Sequence, residues 1–191
     1  MPKVTDKSPR EHKGIKNFVK KGLIIVHTGG GKGKSTAAFG TALRAMGRGY
    51  NIAVVQFIKG NWKTGESQFF KKFEGQCEIF TMGDGFTWDT QNFEQDVKTA
   101  RRAWVKCCEV LRDKKYHLVI FDEINYAMKY NFLNVEEIIS AVQAKLANMH
   151  VILTGNGAPQ RLIDIADLVT EMKCVKHPYD QGIKAQPGID Y

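Results

Sequence analysis

LIIVHTGGGKGKSTAAFGTALRAMG, residues 23–47, is the stretch of sequence that decides the fold. An apolar run, Leu23–His27, leads into a glycine-rich turn, and a helical pattern follows that ends at Gly47. Glycines let backbone N–H groups turn inward without a Cβ in the way, and a helix N-terminus adds the positive end of its dipole. A strand, a glycine-rich loop and a helix in this order predict a loop that cradles phosphate oxygens.

Within this phosphate loop we expect Lys34 to pair with phosphate charge, Ser35 to offer its hydroxyl to Mg²⁺ and Thr36 to add a phosphate contact. The pattern departs from GxxxxGK[ST], because Thr28 stands where the first glycine would be. The alternative is a glycine-rich turn that binds nothing, which GKS in register with the strand and the helix disfavours. The other nucleotide-binding positions that we predict are Gly29, Gly30, Gly31, Lys32 and Gly33.

A second apolar run supports nucleotide binding. The sequence LVIFDE ends in Asp122 and Glu123, where a Walker B carboxylate normally holds or orients the metal. Acidic residues after a strand are common by chance, so this run counts only together with the phosphate loop. The two together predict binding of Mg-ATP or Mg-GTP, with either carboxylate as the metal contact.

Short apolar runs alternate with helical patterns along the chain, which indicates an α/β fold with a mostly parallel sheet flanked by helices. Several runs are almost continuously apolar, as expected of strands covered on both faces. The predicted strands are Leu23–His27, Ile52–Ile58, Cys77–Thr81, His117–Asp122, His150–Thr154 and Leu168–Met172.

Helices are predicted from their start signals. Lys34–Met46 follows the glycine-rich loop, and Asn92 and Asn134 have the character of N-caps, with Gln95 and Glu137 three residues later. These helices should run to about residues 113 and 146. Residues 82–92, MGDGFTWDTQN, join a strand to a helix, and loops that leave the carboxyl ends of parallel strands build ligand sites.

Length and charge indicate one domain, residues 23–191, preceded by a basic arm, residues 1–22. The arm holds seven Lys and Arg residues against two acidic ones, so it contributes +5 of the net charge of +8. A nucleic-acid binder would need its basic surface on the body of the protein, and we therefore expect no nucleic-acid partner. The arm is either solvated or folds over a bound polyanion.

No apolar run is long enough to span a membrane, and the start of the chain lacks the apolar stretch of a secretory signal. We therefore expect a cytoplasmic protein with no membrane association. The four cysteines form no CxxC pair and no cluster with metal-ligand spacing, so neither zinc nor disulfides are predicted.

Six stretches of the sequence, spread from Leu23 to Tyr191, resemble the bacterial ATP:corrinoid adenosyltransferases. They are HTGGGKGKSTAAFGTALRAMGRG, VVQFIKGNWKTGE, MGDGFTWDTQN, VIFDEINYAMKYNFL, VILTGNGAPQRLIDIADLVTEMK and VKHPYDQGIKAQPGIDY. The resemblance implies a RecA-like P-loop fold, a homodimer, and transfer of the 5′-deoxyadenosyl group of ATP to the Co(I) of a corrinoid with release of triphosphate. It also implies a transient flavodoxin-type reductant.

The resemblance assigns roles to three further residues. Phe86 and Trp88, in GFTW, are implied to cover the lower face of the corrin and to exclude an axial ligand, and Arg161 is similar to a family arginine near the nucleotide. Tyr126 and Tyr130, with Met128 between them, line the corrin pocket or pack in the core. Two alternative functions are compatible with a phosphate loop: an ordinary kinase or ATPase, which would yield ADP, and a P-loop motor that acts on nucleic acid.

Overall fold

A parallel sheet forms the centre of the molecule. The structure, a computed structural model, describes residues 19–58, 64–83 and 92–190. The strands in these ranges are β1 (Ile24–Thr28), β2 (Ile52–Gln56), β3 (Cys77–Thr81), β4 (Leu118–Asp122), β5 (His150–Thr154) and β6 (Leu168–Glu171). They are arranged in the order β3-β2-β4-β5-β1-β6, and every neighbouring pair is parallel. All six carboxyl ends therefore meet at one edge.

Helices connect the strands. Those described are α1 (Lys34–Met46), α2 (Gly65–Phe70), α3 (Phe93–Arg112), α4 (Ile124–Lys129), α5 (Val135–Gln143) and α6 (Gln160–Ile165), with 3₁₀ turns at Lys71–Phe73 and Pro178–Gln181. No described helix is both long and apolar enough to cross a membrane.

The predicted elements are confirmed, with differences at their ends. Each predicted strand is present with its ends within two residues of the expected positions, and α1 has the predicted bounds. The helix expected to reach residue 146 ends at Gln143, and the chain then turns toward the start of the domain, where Lys145 donates a hydrogen bond to Gly22 O at 2.8 Å. The short helices α2, α4 and α6 were not predicted, since six residues are too few to show a helical period.

The sheet is covered on both faces, which accounts for its continuously apolar strands. On one face Ile25, Val54 and Ile120 pack against the apolar side of α1, with Phe39 at the centre. On the other face the alternate strand residues meet α3, α4, α5 and α6 around Trp104, whose ring lies edge-on to Phe121 with 6.3 Å between centroids. Each of these strand side chains is at most 8% exposed. This double cover fixes the register, because a shift of one residue would exchange the two faces.

Asparagine caps begin α3 and α5, as predicted. Asn92 Oδ1 accepts from the amide of Gln95 at 3.1 Å, and Asn134 Oδ1 accepts from the amide of Glu136 at 2.8 Å. The Glu137 carboxylate accepts hydrogen bonds from α3, from Trp104 Nε1 at 2.6 Å and from an arginine side chain. The cap at Asn134 thereby starts a helix whose first turn is joined to α3.

The junction with the basic arm is held against the body. The amide of Gly22 donates to Ala147 O at 2.7 Å, and Lys21 pairs with Asp167. A Cβ at position 22 would lie 1.9 Å from Met149 O, so only glycine allows this approach. Lys21 and Gly22, predicted to belong to the arm, thus contact the domain.

Candidate functional site

The phosphate loop lies between β1 and α1, as predicted. Gly29 and Gly33 have φ of 93° and 108°, which L side chains rarely adopt. The loop rests directly on the chain that follows β6: the amide of Gly31 donates to Met172 O at 2.6 Å. A Cβ on Gly29 or Gly31 would come within 2.8 Å of backbone atoms of residues 172 and 173. The loop conformation therefore depends on glycine at positions where another backbone approaches closely.

Both lysines of the phosphate loop have partners in the structure. Lys34 Nζ donates to Gly29 O at 2.9 Å and to Gly31 O at 2.7 Å, which places its ammonium inside the curve of the loop. Lys32, two residues earlier, pairs with Asp190 near the end of the chain. The predicted cations thus lie on the loop, with Lys34 held inward and Lys32 reaching outward.

The predicted metal ligands of the loop and of β4 are in contact. Ser35 Oγ donates to Asp122 Oδ1 at 2.7 Å, although 87 residues separate them. Asp122 is fully buried at the carboxyl end of β4. Two side chains from flanking strands also donate to it, Thr154 Oγ1 at 2.9 Å and Gln56 Nε2 at 3.1 Å. These donors give the buried carboxylate the hydrogen-bond partners that a buried polar group requires.

Strand order explains the position of Thr154. The strand β5 lies between β1 and β4, so its last residue fills the space between the phosphate loop and Asp122. Three residues of the site were not predicted from the sequence: Thr154, Gln56 and Thr81, whose hydroxyl donates to Gln56 Oε1 at 3.2 Å. A signal was present: each is a polar residue that ends a largely apolar strand, at the edge where parallel sheets bind ligands.

Glu123 follows Asp122 in a left-handed conformation, with φ 65° and ψ 21°. This conformation is costly for a residue with a side chain and is often found at functional sites. Its amide donates to Thr154 Oγ1 at 2.9 Å, which holds the turn. Its carboxylate lies beside Gly155, where a Cβ would meet Glu123 Oε2 at 3.0 Å. Both predicted acidic residues are therefore at the carboxyl edge of the sheet.

Magnesium fits these residues by the chemistry of the donors. It prefers hard oxygen ligands and is commonly bound through one or two carboxylates together with phosphates of the substrate. The Ser35 hydroxyl and the carboxylates of Asp122 and Glu123 supply such oxygens next to the phosphate loop.

Other predicted positions differ in their surroundings. Thr36 is exposed on the first turn of α1. Arg161 lies in the first turn of α6, two residues after Pro159, the residue that precedes the helix. Its side chain is 69% exposed and pairs with Glu136 at 3.1 Å. The structure thus shows Arg161 bound to an acidic side chain of the neighbouring helix α5.

The three residues after β4 that were predicted to line the corrin pocket or pack in the core differ in their burial. Met128 is 2% exposed and belongs to the core, which favours the packing alternative for this residue. Tyr126 and Tyr130 stack with 6.0 Å between ring centroids, and burial raises the pKa of Tyr126 with a smaller effect from the Glu123 carboxylate. Phe86 and Trp88 lie outside the described residues.

Fold and site together define a class of protein. Three features are those of a P-loop nucleotide-binding protein. A glycine-rich loop lies between β1 and α1, a serine at the start of α1 is bonded to the carboxylate that ends β4, and one strand lies between β1 and β4. Two solved structures share this architecture. They are the RadB recombinase (TM-score 0.52, 18% identity, covering 83% of this chain and 77% of that one) and the flagellar accessory protein FlaH from Methanocaldococcus jannaschii (TM-score 0.52, 14% identity, covering 78% and 70%). At such identities the likeness shows the fold alone, which is RecA-like.

The sequence places the chain in one family of this class. A profile of the ATP:corrinoid adenosyltransferases BtuR/CobO/CobP matches residues 20–191, and the chain belongs to that family. Its substrates are accordingly ATP and a corrinoid, and its activity is adenosyl transfer.

Curated relatives agree with this assignment. A corrinoid adenosyltransferase from Sinorhizobium is 49% identical over 90% of this chain and 81% of its own length. The corrinoid adenosyltransferase CobA of Salmonella typhimurium is 46% identical over 90% of this chain and 86% of its own. A Pseudomonas aeruginosa relative is 44% identical over 90% and 84%.

Proposed function

We propose that this adenosyltransferase binds the triphosphate of ATP on the phosphate loop and presents the ribose C5′ to the Co(I) of a corrinoid, in adenosylcobalamin synthesis and corrinoid salvage. One observation carries the proposal: the hydrogen bond from Ser35 to Asp122 brings the phosphate loop and the acidic end of β4 together. Glycine lets the loop backbone turn its N–H groups toward phosphate oxygens without a Cβ in the way, with the exception of Gly31, whose amide donates to Met172 O.

The bond changes define what the protein must do. The electron pair of Co(I) attacks C5′, a cobalt–carbon bond forms, and the C5′–O bond breaks with its electrons leaving on the triphosphate. Four-coordinate Co(I) is a strong nucleophile, so no protein base or covalent nucleophile is needed. The protein contributes position and charge: it holds C5′ in line with the leaving group, and Lys34 with Lys32 and the loop amides stabilises the departing negative charge.

Magnesium would be held by the Ser35 hydroxyl together with Asp122 or Glu123. Bound there, it would supply positive charge to the triphosphate oxygens. The buried Asp122, with its three side-chain donors, is suited to orient Ser35 at the carboxyl edge of the sheet.

Phe86 and Trp88 are proposed to act earlier, when Co(II) is reduced. By resemblance to the family they cover the lower face of the corrin and exclude the axial ligand, which lowers the energy of the cobalt orbital that accepts the electron. Tyr126 and Tyr130, stacked after β4, are candidates for the wall of the same pocket. We also propose a homodimer, a flavodoxin-type reductant and a cytoplasmic location.

A product assay tests the reaction. The protein is mixed with Mg-ATP and chemically reduced cob(I)alamin, and a light-sensitive cobalt–carbon product should appear together with an equal amount of triphosphate. ADP in place of triphosphate would identify a kinase or an ATPase, and DNA-stimulated hydrolysis with a steep salt dependence would identify a nucleic-acid motor.

A variant lacking both rings tests the role of the aromatic residues. Phe86→Ala/Trp88→Ala should lose most turnover in an assay that starts from Co(II) with reduced flavodoxin, because the axial ligand is no longer excluded. The same variant should keep far more activity with chemically prepared Co(I), where the nucleophile is already four-coordinate. The wild-type complex with ATP and Co(II) corrinoid should show a four-coordinate spectroscopic signal that the variant lacks. Equal losses from both cobalt states, with that signal intact, would remove the ligand-exclusion role.

A further inference from the structure

The segment 175–190, here called the carboxyl-terminal strap, begins and ends beside the phosphate loop. It leaves residues 172–174, whose backbone lies against Gly31, and its last described residue is Asp190, which pairs with Lys32. Its residues are exposed except for half-buried His177, and Val175 and Ile189 are 87% and 79% exposed. The strap thus buries little apolar surface of its own.

Internal hydrogen bonds organise the strap. The His177 imidazole and the carbonyl of Pro178 accept from amides within the 3₁₀ turn and just after it, and Gln186 and Asp190 bond to each other through backbone and side chain. Within the described ranges, the hydrogen bonds and ion pairs of residues 175–190 stay inside the strap, with one exception. That exception is the pair between Asp190 and Lys32.

The Asp190 carboxylate has two partners on opposite sides. Oδ2 accepts from the amide of Gln186 at 2.8 Å, which fixes the carboxylate on the strap, and Oδ1 accepts from Lys32 Nζ. The hydrogen bond from Lys32 lowers the pKa of Asp190, so the carboxylate is charged at neutral pH. Its side chain is 20% exposed, whereas that of Lys32 is 52% exposed. The contact fastens the strap to a cation of the phosphate loop.

A bound triphosphate would meet this contact directly. Lys32 is two residues from Lys34 on the same loop, and a triphosphate brings several negative charges to that loop. A carboxylate within hydrogen-bond distance of Lys32 would then face like charge, which disfavours its ionised form there. Lys32 can neutralise the phosphate or Asp190, and the more highly charged partner is favoured.

We propose that Asp190 is an intramolecular competitor of the triphosphate for Lys32, so that the strap is fastened to the phosphate loop by Asp190 and released when the triphosphate binds. The inference rests on the proposed function, in which the loop holds triphosphate as the leaving group. Cleavage of the C5′–O bond adds a negative charge to the triphosphate, which strengthens its attraction to Lys32 and would retain it on the loop. Asp190 competes with this product for Lys32. Asp190 thereby promotes product release.

The first experiment measures binding of inorganic triphosphate, in the presence of magnesium, to the full-length protein by calorimetry. Asp190→Asn should bind about fivefold tighter than wild type, the scale of an exposed ion pair together with relief of repulsion. Lys32→Gln should bind more weakly. In the Lys32→Gln background, the Asp190→Asn change should alter affinity by less than about twofold, because the shared cation is gone. Asp190→Glu, which retains the charge, should resemble wild type.

Asp180→Asn is the matched control, because it removes the same charge from the same strap at a residue with no side-chain contact to Lys32. It should leave triphosphate affinity within about twofold of wild type. An equal gain from Asp180→Asn would mean that general charge, rather than competition for Lys32, sets the affinity. Weaker binding by Asp190→Asn would mean that Asp190 supports the site, and it too would overturn the proposal.

Hydrogen exchange gives a readout independent of affinity. Adding inorganic triphosphate to the wild type should speed amide exchange across residues 175–190, because the strap loses its contact with Lys32, and Asp190→Asn should exchange faster than wild type without ligand. Slower exchange of the strap on adding triphosphate would show that it closes over the ligand, contrary to the proposal. If wild type and Lys34→Ala bind triphosphate equally poorly, the proposed function of the loop fails as well. If wild type binds well and Asp190→Asn binds no tighter, only the role of Asp190 fails.

Discussion

At the scale of single residues, the site depends on polar side chains that end apolar strands. Thr154 bonds through one hydroxyl in two directions: it donates to Asp122 Oδ1 at 2.9 Å and accepts from the amide of Glu123 at 2.9 Å. It is fully buried, so water cannot replace either bond at no cost. This hydroxyl fixes both the buried carboxylate and the left-handed turn that follows it.

Replacing Thr154 by valine, which has nearly the same shape, should lower the free energy of unfolding by about 1–3 kcal/mol, because the amide of Glu123 loses its acceptor and the buried Asp122 loses a donor. Urea denaturation of wild type and Thr154→Val measures the difference. Thr154→Ser keeps the hydroxyl and should lose less than half as much. A valine variant as stable as wild type would show that the two hydrogen bonds contribute no net stability.

Lys34 lies inside the phosphate loop, where it can follow the phosphates as they separate from C5′. Lys34→Ala should lose at least about 100-fold in turnover while remaining folded, since a group that stabilises developing charge is removed. Triphosphate release with Mg-ATP and Co(I) corrinoid measures the loss, and circular dichroism checks the fold. Lys98→Ala, at an exposed position on α3, is the control and should keep normal activity. Near-normal release by Lys34→Ala would contradict the assignment.

At the scale of elements, helix starts connect local sequence to packing. The Asn134 cap begins α5, and the first turn of that helix presents Glu136 to Arg161 on α6 and Glu137 to Trp104 on α3. A frayed first turn would therefore loosen three helices on one face of the sheet. The cap stabilises more than the helix in which it lies.

Asn134→Ala should destabilise the protein by about 1 kcal/mol, the usual cost of losing an N-cap side chain. Asn134→Ser, which can still accept from the helix amides, should recover most of this loss. Thermal or urea unfolding provides the measurement, and Asn148→Ala, at an exposed turn residue, serves as the comparison. A loss no larger than that of Asn148→Ala would mean that contacts with α3 and α6 hold the helix start without the cap.

At the scale of the whole molecule, the body begins before the first strand. Lys145 Nζ and the amide of Gly22 form hydrogen bonds that join the chain before β1 to the chain before β5, and Lys21 pairs with Asp167 before β6. The Asp167 carboxylate also accepts from the amide of Ile24 at 2.9 Å. The residues just before β1 therefore close the amino edge of the sheet.

Two truncations should differ in stability. Removing residues 1–18, which are rich in charge and poor in apolar side chains, should leave the melting temperature within a few degrees of wild type. Removing residues 1–22 deletes Lys21 and Gly22 as well and should lower it by several further degrees, at roughly 2–4 °C per kcal/mol for a domain of this size. Differential scanning calorimetry of both proteins tests this. Equal melting temperatures would show that the contacts of Lys21 and Gly22 add no stability.

Local sequence alone determined the elements that carry the phosphate loop. The apolar run before Thr28, the glycines with positive φ and the helix ending at Gly47 are all properties of neighbouring residues, and so are the caps at Asn92 and Asn134. Strand and helix periods are encoded within a few residues, which is why these elements appear at the predicted positions. The activity was predicted from the sequence motifs that this chain shares with the family.

Tertiary structure alone decided which residues meet. Ser35 reaches Asp122 across 87 residues, and Lys32 reaches Asp190 across 158. The neighbours of each strand also depend on strand order. The insertion of β5 between β1 and β4 brings Thr154 beside Asp122. The position of β6 beside β1 brings the carboxyl-terminal strap, and with it Asp190, to the phosphate loop. Hydrophobic periodicity specifies whether a segment forms a helix or a strand and which face it buries. The free energy that selects the neighbours of each strand comes instead from packing of the whole chain.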